Sequence, residues 1–410
     1  MILQISWKNV WRNKARSLVI ISAITIGLFG GIFAYALMLG GTLQRVDNAI
    51  KNETANLQLH NPAYLLEQDI KNTIVNPKEY LDYLEQSPEV MGISDRLKSS
   101  AMISTAYASS GVSVNGVYPE KEMKTTRLFE SLIAGEYLKE SDLIPIVIGD
   151  KLAEKLNADI SDKLIISAPS ADGKVVYGAY ILKGIYDTDN NMFDGMQVFI
   201  KKRDLAELIG VDENTSSEIA VSLYNSDMTN TFITSLKDKF LTEIEDKSII
   251  IRSWKEIDPM LSMMVDLMSK LGWIFVVVIL IALIFGIINT MLMVVLERVR
   301  EIGMLMAIGM NKFRVFAMIM WETVFLSVTG GIVGMLFSLG FISYFKTYGL
   351  NLSAVAKGMN SLGFSSIIYP EAPFSFYIEV SLMIIITAIL ASIYPALKAL
   401  KLHPAEAVRE

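Results

Sequence analysis

The chain has 410 residues, 52% hydrophobic and only 20% charged, with a net charge of −6, two histidines and no cysteine. A mean hydropathy of +0.41 excludes an ordinary soluble domain, and the missing cysteines exclude a disulfide-built one. No basic patch with interleaved aromatics points to nucleic acid.

Residues 1–16 carry Leu3, Trp7, Val10 and Trp11 at helical spacing, with Lys8, Arg12 and Arg16 elsewhere on the turn. That pattern predicts an amphipathic helix lying in the inner membrane interface; an ordinary basic flank with aromatic anchors predicts the same location. The first span is 17–41, around an apolar run at 18–39. Ala34-Tyr35-Ala36 looks like a signal-peptide cleavage site, but the apolar run is long for a signal.

The segment 42–266 is polar and long enough for one or two domains with their own core. Alternating β-type runs predict strands at 56–59, 113–117, 144–148, 163–167, 175–185, 197–200, 218–223 and 248–251. Helical spacing predicts helices at 77–86, 150–156, 202–209 and 228–240, giving a mixed α+β domain. The acidic stretch 187–194 has Met192 where a calcium loop needs glycine and Val198 where it needs glutamate, so it reads as a polar turn. Leu43, Val46 and Ile50 extend the first span outward. Ile257, Met260, Leu261, Met264, Leu267, Met268 and Leu271 form a stripe running into the second span. Together these predict a helical stalk.

The second span is 267–296. It ends at ERVREIGMLMAIGMNKFR, residues 297–314, where Glu297, Arg298, Arg300 and Glu301 crowd into five positions. Each would cost about 2.5–3.5 kcal/mol at a bilayer centre, so the chain must leave the membrane here. The apolar stretch 302–308, bounded by Gly303 and Gly309, is too short to span and too apolar for a plain loop. It reads as a small helix that sits against another protein. The third span (315–346), a loop (347–373), the fourth span (374–397) and a tail (398–410) follow.

Gly27 and Gly31, and Gly330 with Gly334, repeat small residues every fourth position, which lets helices approach closely within one protomer or between two. Glu322 and Glu379 fall within spans with no intramembrane Lys or Arg to pair them; each lies near a span end, which favours structure over a proton relay. Lys and Arg crowd the N-terminus, the hinge and the tail, including Lys401 and Arg409, while the 347–373 loop is poor in them. Both termini and the hinge are therefore expected in the cytoplasm, with the large domain outside.

No segment matches G-x-x-x-x-G-K-[ST], so ATP-driven work requires a separate subunit. His60 and His403 lie on opposite sides of the predicted membrane, which disfavours a transition-metal site or a His-based triad. No catalytic, cofactor or metal residue is expected.

Several stretches carry a family resemblance: SWKNVWRNKARS at the start, NGVYPEKE, IAGEYL and IVIGDKLAEKL in the polar domain, GIINTMLMVVLERVREIGMLMAIGM at the hinge, and YPALKALKLHPAEAVRE at the end. The chain resembles the permease subunits of type VII ABC transporters, the FtsX-like and MacB-like family. Its length and the segment NLQLHNPAY look most like the lipoprotein-releasing LolC and LolE branch. MacB has an ATPase domain fused before its first span, which has no counterpart here.

The resemblance implies four transmembrane helices with a large α+β extracytoplasmic domain between helices 1 and 2, in a bacterial inner membrane. It implies a dimer with an identical or paralogous permease on two cytoplasmic ATPases, which bind the ATP and magnesium. It assigns the ATPase-coupling helix to Glu297, Arg298, Arg300, Glu301, Ile302, Gly303, Met304, Leu305, Ala307 and Gly309, and an accessory inner-surface element to Trp7, Trp11 and Arg12. The leading expectation is a non-catalytic permease that transmits ATPase closure to the external domain and moves a lipid-anchored protein. An FtsX-like scaffold regulating cell-wall hydrolases and a MacB-like exporter are the alternatives, although FtsX-type proteins usually carry a smaller external domain.

Overall fold

A computed structural model describes residues 2–400 except 68 and 75. The tail motif PAEAVRE, His403, Lys401 and Arg409 lie outside the described residues. Among the described residues, four helices are long and apolar enough to cross a membrane. They are Lys14–Ala49, continued by a π-helical turn Ile50–Thr54, then Pro259–Glu297, Lys312–Tyr348 and Phe374–Leu400. The chain divides into an apolar unit (Met1–Thr42, Asp266–Asn351 and Ile367–Glu410, so far as these are described) and a polar unit (Leu43–Val265 and Leu352–Ser366).

In the apolar unit the helix Ile2–Arg12 turns its Val10 side onto the third spanning helix. Ser6 Oγ donates to the Met318 carbonyl at 3.0 Å, and the Trp7 ring meets Phe325 edge-on at 5.4 Å. The small residues pack helices of this one chain. A Cβ on Gly27 or Gly31 would meet Leu283 (3.1 Å) or Ile279 (2.8 Å) of the second spanning helix. One on Gly330 would meet Ile24 Cβ at 2.9 Å, and one on Gly334 the Thr25 carbonyl at 3.0 Å, both on the first. Gly40 has the tightest fit among these, since its Cβ would lie 2.2 Å from the Tyr369 carbonyl oxygen.

The polar unit is built on a mixed sheet of ten strands: β1 Leu57–His60, β2 Val90–Ser104, β3 Ser109–Val117, β4 Leu132–Gly135, β5 Pro145–Gly149, β6 Lys163–Pro169, β7 Val175–Tyr186, β8 Gln197–Lys201, β9 Glu218–Leu223 and β10 Ile250–Ser253. Their order is β10-β1-β9-β2-β3-β8-β5-β7-β4, with β6 joining β2 to β7. Among the described residues, only β3·β8 and β5·β7 of this sheet run parallel. The long β2 serves two cores. One packs β1, β9 and β10 with helices Pro77–Glu85 and Thr229–Lys239; the other packs β3, β5, β6, β7 and β8 with helices Asp150–Leu156 and Lys202–Ile209.

Several expectations change. Strands β2 and β4, and the short helices Pro119–Thr125, Leu241–Glu245 and Trp254–Ile257, carry no expectation from the sequence. The stretch expected as a polar turn contains a helix, Asn191–Met196, whose Asn190 side chain accepts from the Met192 and Phe193 amides. Ile257 is not on the stalk helix: it ends the separate helix Trp254–Ile257, and Asp258 has a non-helical backbone before Pro259 opens the next helix. The stripe is also not uniformly packed, for Leu261 is buried while Met260 and Leu267 are exposed.

Candidate functional site

The second spanning helix stops at Glu297, and Arg298 takes a non-helical conformation (φ −107°, ψ 18°) that starts the short hinge helix Val299–Ala307. That helix closes with a Schellman arrangement: Gly309 N donates to the Met306 carbonyl at 3.1 Å and Met310 N to that of Leu305 at 3.0 Å. Gly309 sits at φ +100°, which glycine alone adopts without strain. Asn311 then caps the third spanning helix, its side chain accepting from Phe313 N at 2.9 Å. The turn is thus specified residue by residue at both ends.

Most of the hinge charges are used within the chain. Arg298 Nη1 donates to both carboxylate oxygens of Glu322, at 3.0 and 3.1 Å, while its Nε donates to Glu301 at 2.9 Å. Arg12 Nη2 reaches both oxygens of Glu301, at 2.5 and 2.6 Å, and Arg16 pairs with Glu297. Among the described residues Glu322 thus has no cation within a span, and its partner comes from the hinge at the span end. Glu379, by contrast, is exposed on the fourth helix. Hydrogen bonds from Arg12 and then Arg298 hold the Glu301 carboxyl below its usual range, and the Glu301 bond raises the Arg12 guanidinium. The six charges line a polar cavity of about 330 Å³ with Asn9, Asn13 and Ser17.

The hinge helix therefore has two faces. Ile302, 2% exposed, and Gly303 turn inward and offer no surface to a partner. Arg300, Met304, Ala307 and Ile308 turn outward, with Met304 57% and Ile308 78% exposed. Leu305 and Gly309 join Ile308 in a groove of about 250 Å³, whose other wall is Ile2 and Ile5 of the N-terminal helix. Trp7 and Trp11 stand edge-to-face at 5.8 Å, both part-exposed.

In the polar unit, Asp150, Asp187 and Asp194 bring carboxylate oxygens within 4.8 Å of one another, so Asp150 joins two acids of the 187–194 stretch. Asp194 is tied to Thr188, whose amide and Oγ1 donate at 3.1 and 2.7 Å, and Asp150 is paired with Lys151. Burial pushes the Asp194 carboxyl up to about 7 against those two bonds. A second buried group crosses β2: Arg96 binds Glu122 and Glu218, both at 2.7 Å, and Lys98 binds Glu218 at 2.6 Å.

Residues 273–404 match the family model described as FtsX-like permease C-terminal. The sequence is 21% identical to the lipoprotein-releasing system transmembrane protein LolC of Neisseria meningitidis over 419 residues, covering 96% of this chain and 94% of that one. Its identity to LolC of Haemophilus influenzae is 22% over 310 residues, 73% of each chain. A stretch of 127 residues is 35% identical to the macrolide export ATP-binding/permease protein MacB of Bdellovibrio bacteriovorus, 30% of this chain but 16% of that protein. Among solved structures, the periplasmic region of MacB from Actinobacillus actinomycetemcomitans covers 53% of this chain and 98% of its own length, at 13% identity and a TM-score of 0.36. The chain is thus a multi-pass membrane protein carrying an FtsX-like permease domain. Over most of its length the chain is similar to LolC transmembrane proteins, and over a shorter stretch to MacB.

Proposed function

We propose that this chain is a non-catalytic permease subunit in a bacterial inner membrane, with both termini and the hinge in the cytoplasm. It binds no cofactor of its own. A separate ABC ATPase docks on the hinge helix, and a second permease, identical or paralogous, completes the assembly. The observation that carries the reading is the outward face of Met304, Ala307 and Ile308, an apolar surface edged by Arg300 and held between two spanning helices. Exposed apolar groups gathered on one helix face mark a partner site.

ATPase closure then displaces the hinge, and the helix Pro259–Glu297 carries that displacement toward the polar unit outside. The near full-length likeness to LolC supports a lipid-anchored protein as cargo, whereas the shorter likeness to MacB supports export of small molecules or peptides. Purification of the chain from native membranes tests both. A co-eluting ATPase together with a bound acylated protein supports lipoprotein release, and an ATPase without one supports export. Recovery of a cell-wall hydrolase with no ATPase refutes the transport reading.

A further inference from the structure

Four side chains form one unbroken series from the N-terminal helix to the interior of the third spanning helix: Arg12, Glu301, Arg298 and Glu322. The links differ in strength. Glu322 and Arg298 have side chains only 6% and 12% exposed, whereas Arg12 and Glu301 are 57% and 45% exposed. Breaking a buried pair at one end strands a charge, while an exposed pair contributes little by itself. Arg298 and Glu301 each bond two of the others, and of these two Arg298 holds the buried end and stands at the non-helical joint where the hinge helix could otherwise swing. Arg16 with Glu297 adds a second tie between the N-terminal region and the end of the second spanning helix.

We propose that Arg298 is a positioning residue. Anchored on Glu322, it fixes the angle of the hinge helix, and through Glu301 it holds Arg12, so that the N-terminal helix and the hinge move as one body. The surface offered to a partner is accordingly composite: the outward hinge face and the Ile2 and Ile5 side of the N-terminal helix, which line one groove. The charges of Glu297, Arg298 and Glu301 shape that surface from within. This deepens the reading of the hinge as a docking segment, but its test needs no partner.

The chain has no cysteine, so engineered pairs report without background. Ile5→Cys with Ile308→Cys places thiols on the two walls of the groove, and a short bifunctional thiol reagent reads their proximity in the full chain in detergent. Arg298→Gln should slow cross-linking at least about tenfold, because the anchor of the hinge is lost. Glu322→Gln should do the same, and the two together should slow it no further than either alone. Glu301→Gln keeps the buried Arg298–Glu322 pair and removes the carboxylate that links Arg298 to Arg12, so it must slow the reaction in a folded protein. Arg300→Gln, outside the series, should leave the rate unchanged. A Lys346→Cys/Glu371→Cys pair, replacing an ion pair at the other end of the third helix, confirms folding in each background. Parent-like cross-linking in Arg298→Gln or Glu301→Gln, or additive losses for Arg298 and Glu322, overturns the proposal. Because no ATPase is present, these results stand apart from whether one docks.

Discussion

Glu322 lies within an apolar helix, and its counter-charge comes from outside that helix: one nitrogen of Arg298 meets both carboxylate oxygens, at 3.0 and 3.1 Å. Removing one member of a buried pair costs about 3–5 kcal/mol, whereas replacing both with apolar residues is often neutral. Arg298→Met should therefore lower the thermal midpoint of the purified chain by several degrees, and Arg298→Met/Glu322→Met should recover most of the loss. Equal midpoints for the single and double variants would contradict the pairing.

Helix approach makes a graded prediction at the glycines. A methyl at Gly31 meets the end of the flexible Ile279 side chain, whereas one at Gly40 meets the Tyr369 carbonyl at 2.2 Å. Gly31→Ala should be tolerated within about 1 kcal/mol, and Gly40→Ala should cost about 1–3 kcal/mol or more, since backbone must shift. Melting curves of the two variants in the same detergent check the order.

The buried network on β2 predicts an acid limit for the polar unit. Burial alone would raise the Glu218 carboxyl, but Lys98 and Arg96 overcome it and hold it at about 2. Its folded value lies below its unfolded one, so its contribution is present above the ordinary carboxylate range and is lost as pH falls toward 2. Arg96→Met strands Glu122 beside Glu218 and should cost about 3–5 kcal/mol at neutral pH. Limited proteolysis of the full chain reads the loss, and parent-like resistance would argue against the network.

Asp194 has the opposite sign. Pushed up to about 7 by burial, it keeps its proton in the folded state where the unfolded chain has released it, so stability falls as pH rises from the ordinary carboxylate range toward 7 and is level above. Asp194→Asn should remove that slope and increase hydrogen-exchange protection of Asn191–Met196 at pH 8. Asp150 and Asp187 stand close by, so a variant less protected than the parent would instead favour a needed negative charge.

Where apolar pattern alone determines an element, the sequence reading and the structure agree closely: the strand expected at 218–223 is β9, Glu218–Leu223, and the helices expected at 150–156 and 202–209 form over those residues. The longest strand, β2, escaped notice because its buried positions include Asp95, Arg96 and Ser94, polar groups that read as surface until their partners are known. The two partners of Arg96 lie 26 and 122 residues away. The same limit hid the site. The density of charge at 297–301 was plain in the sequence, but not that Glu297, Arg298 and Glu301 face Arg16, Glu322 and Arg12. Likewise, helical phase alone did not reveal that Ile302 faces inward and Ile308 outward.

The hinge surface is the proposed docking site, so the most direct test replaces that surface and asks whether the ATPase still binds. Met304→Asp/Ile308→Asp puts two charges on the exposed face, while Leu66→Asp changes an equally exposed apolar residue of the polar unit, 89% exposed, as control. The measurement is the amount of ATPase recovered with each chain from native membranes at equal membrane level. Parent and Leu66→Asp should recover equal amounts, and the hinge variant at least about tenfold less, as expected when central apolar contacts of an interface are lost. Undiminished ATPase on the Met304→Asp/Ile308→Asp chain would contradict docking on the hinge.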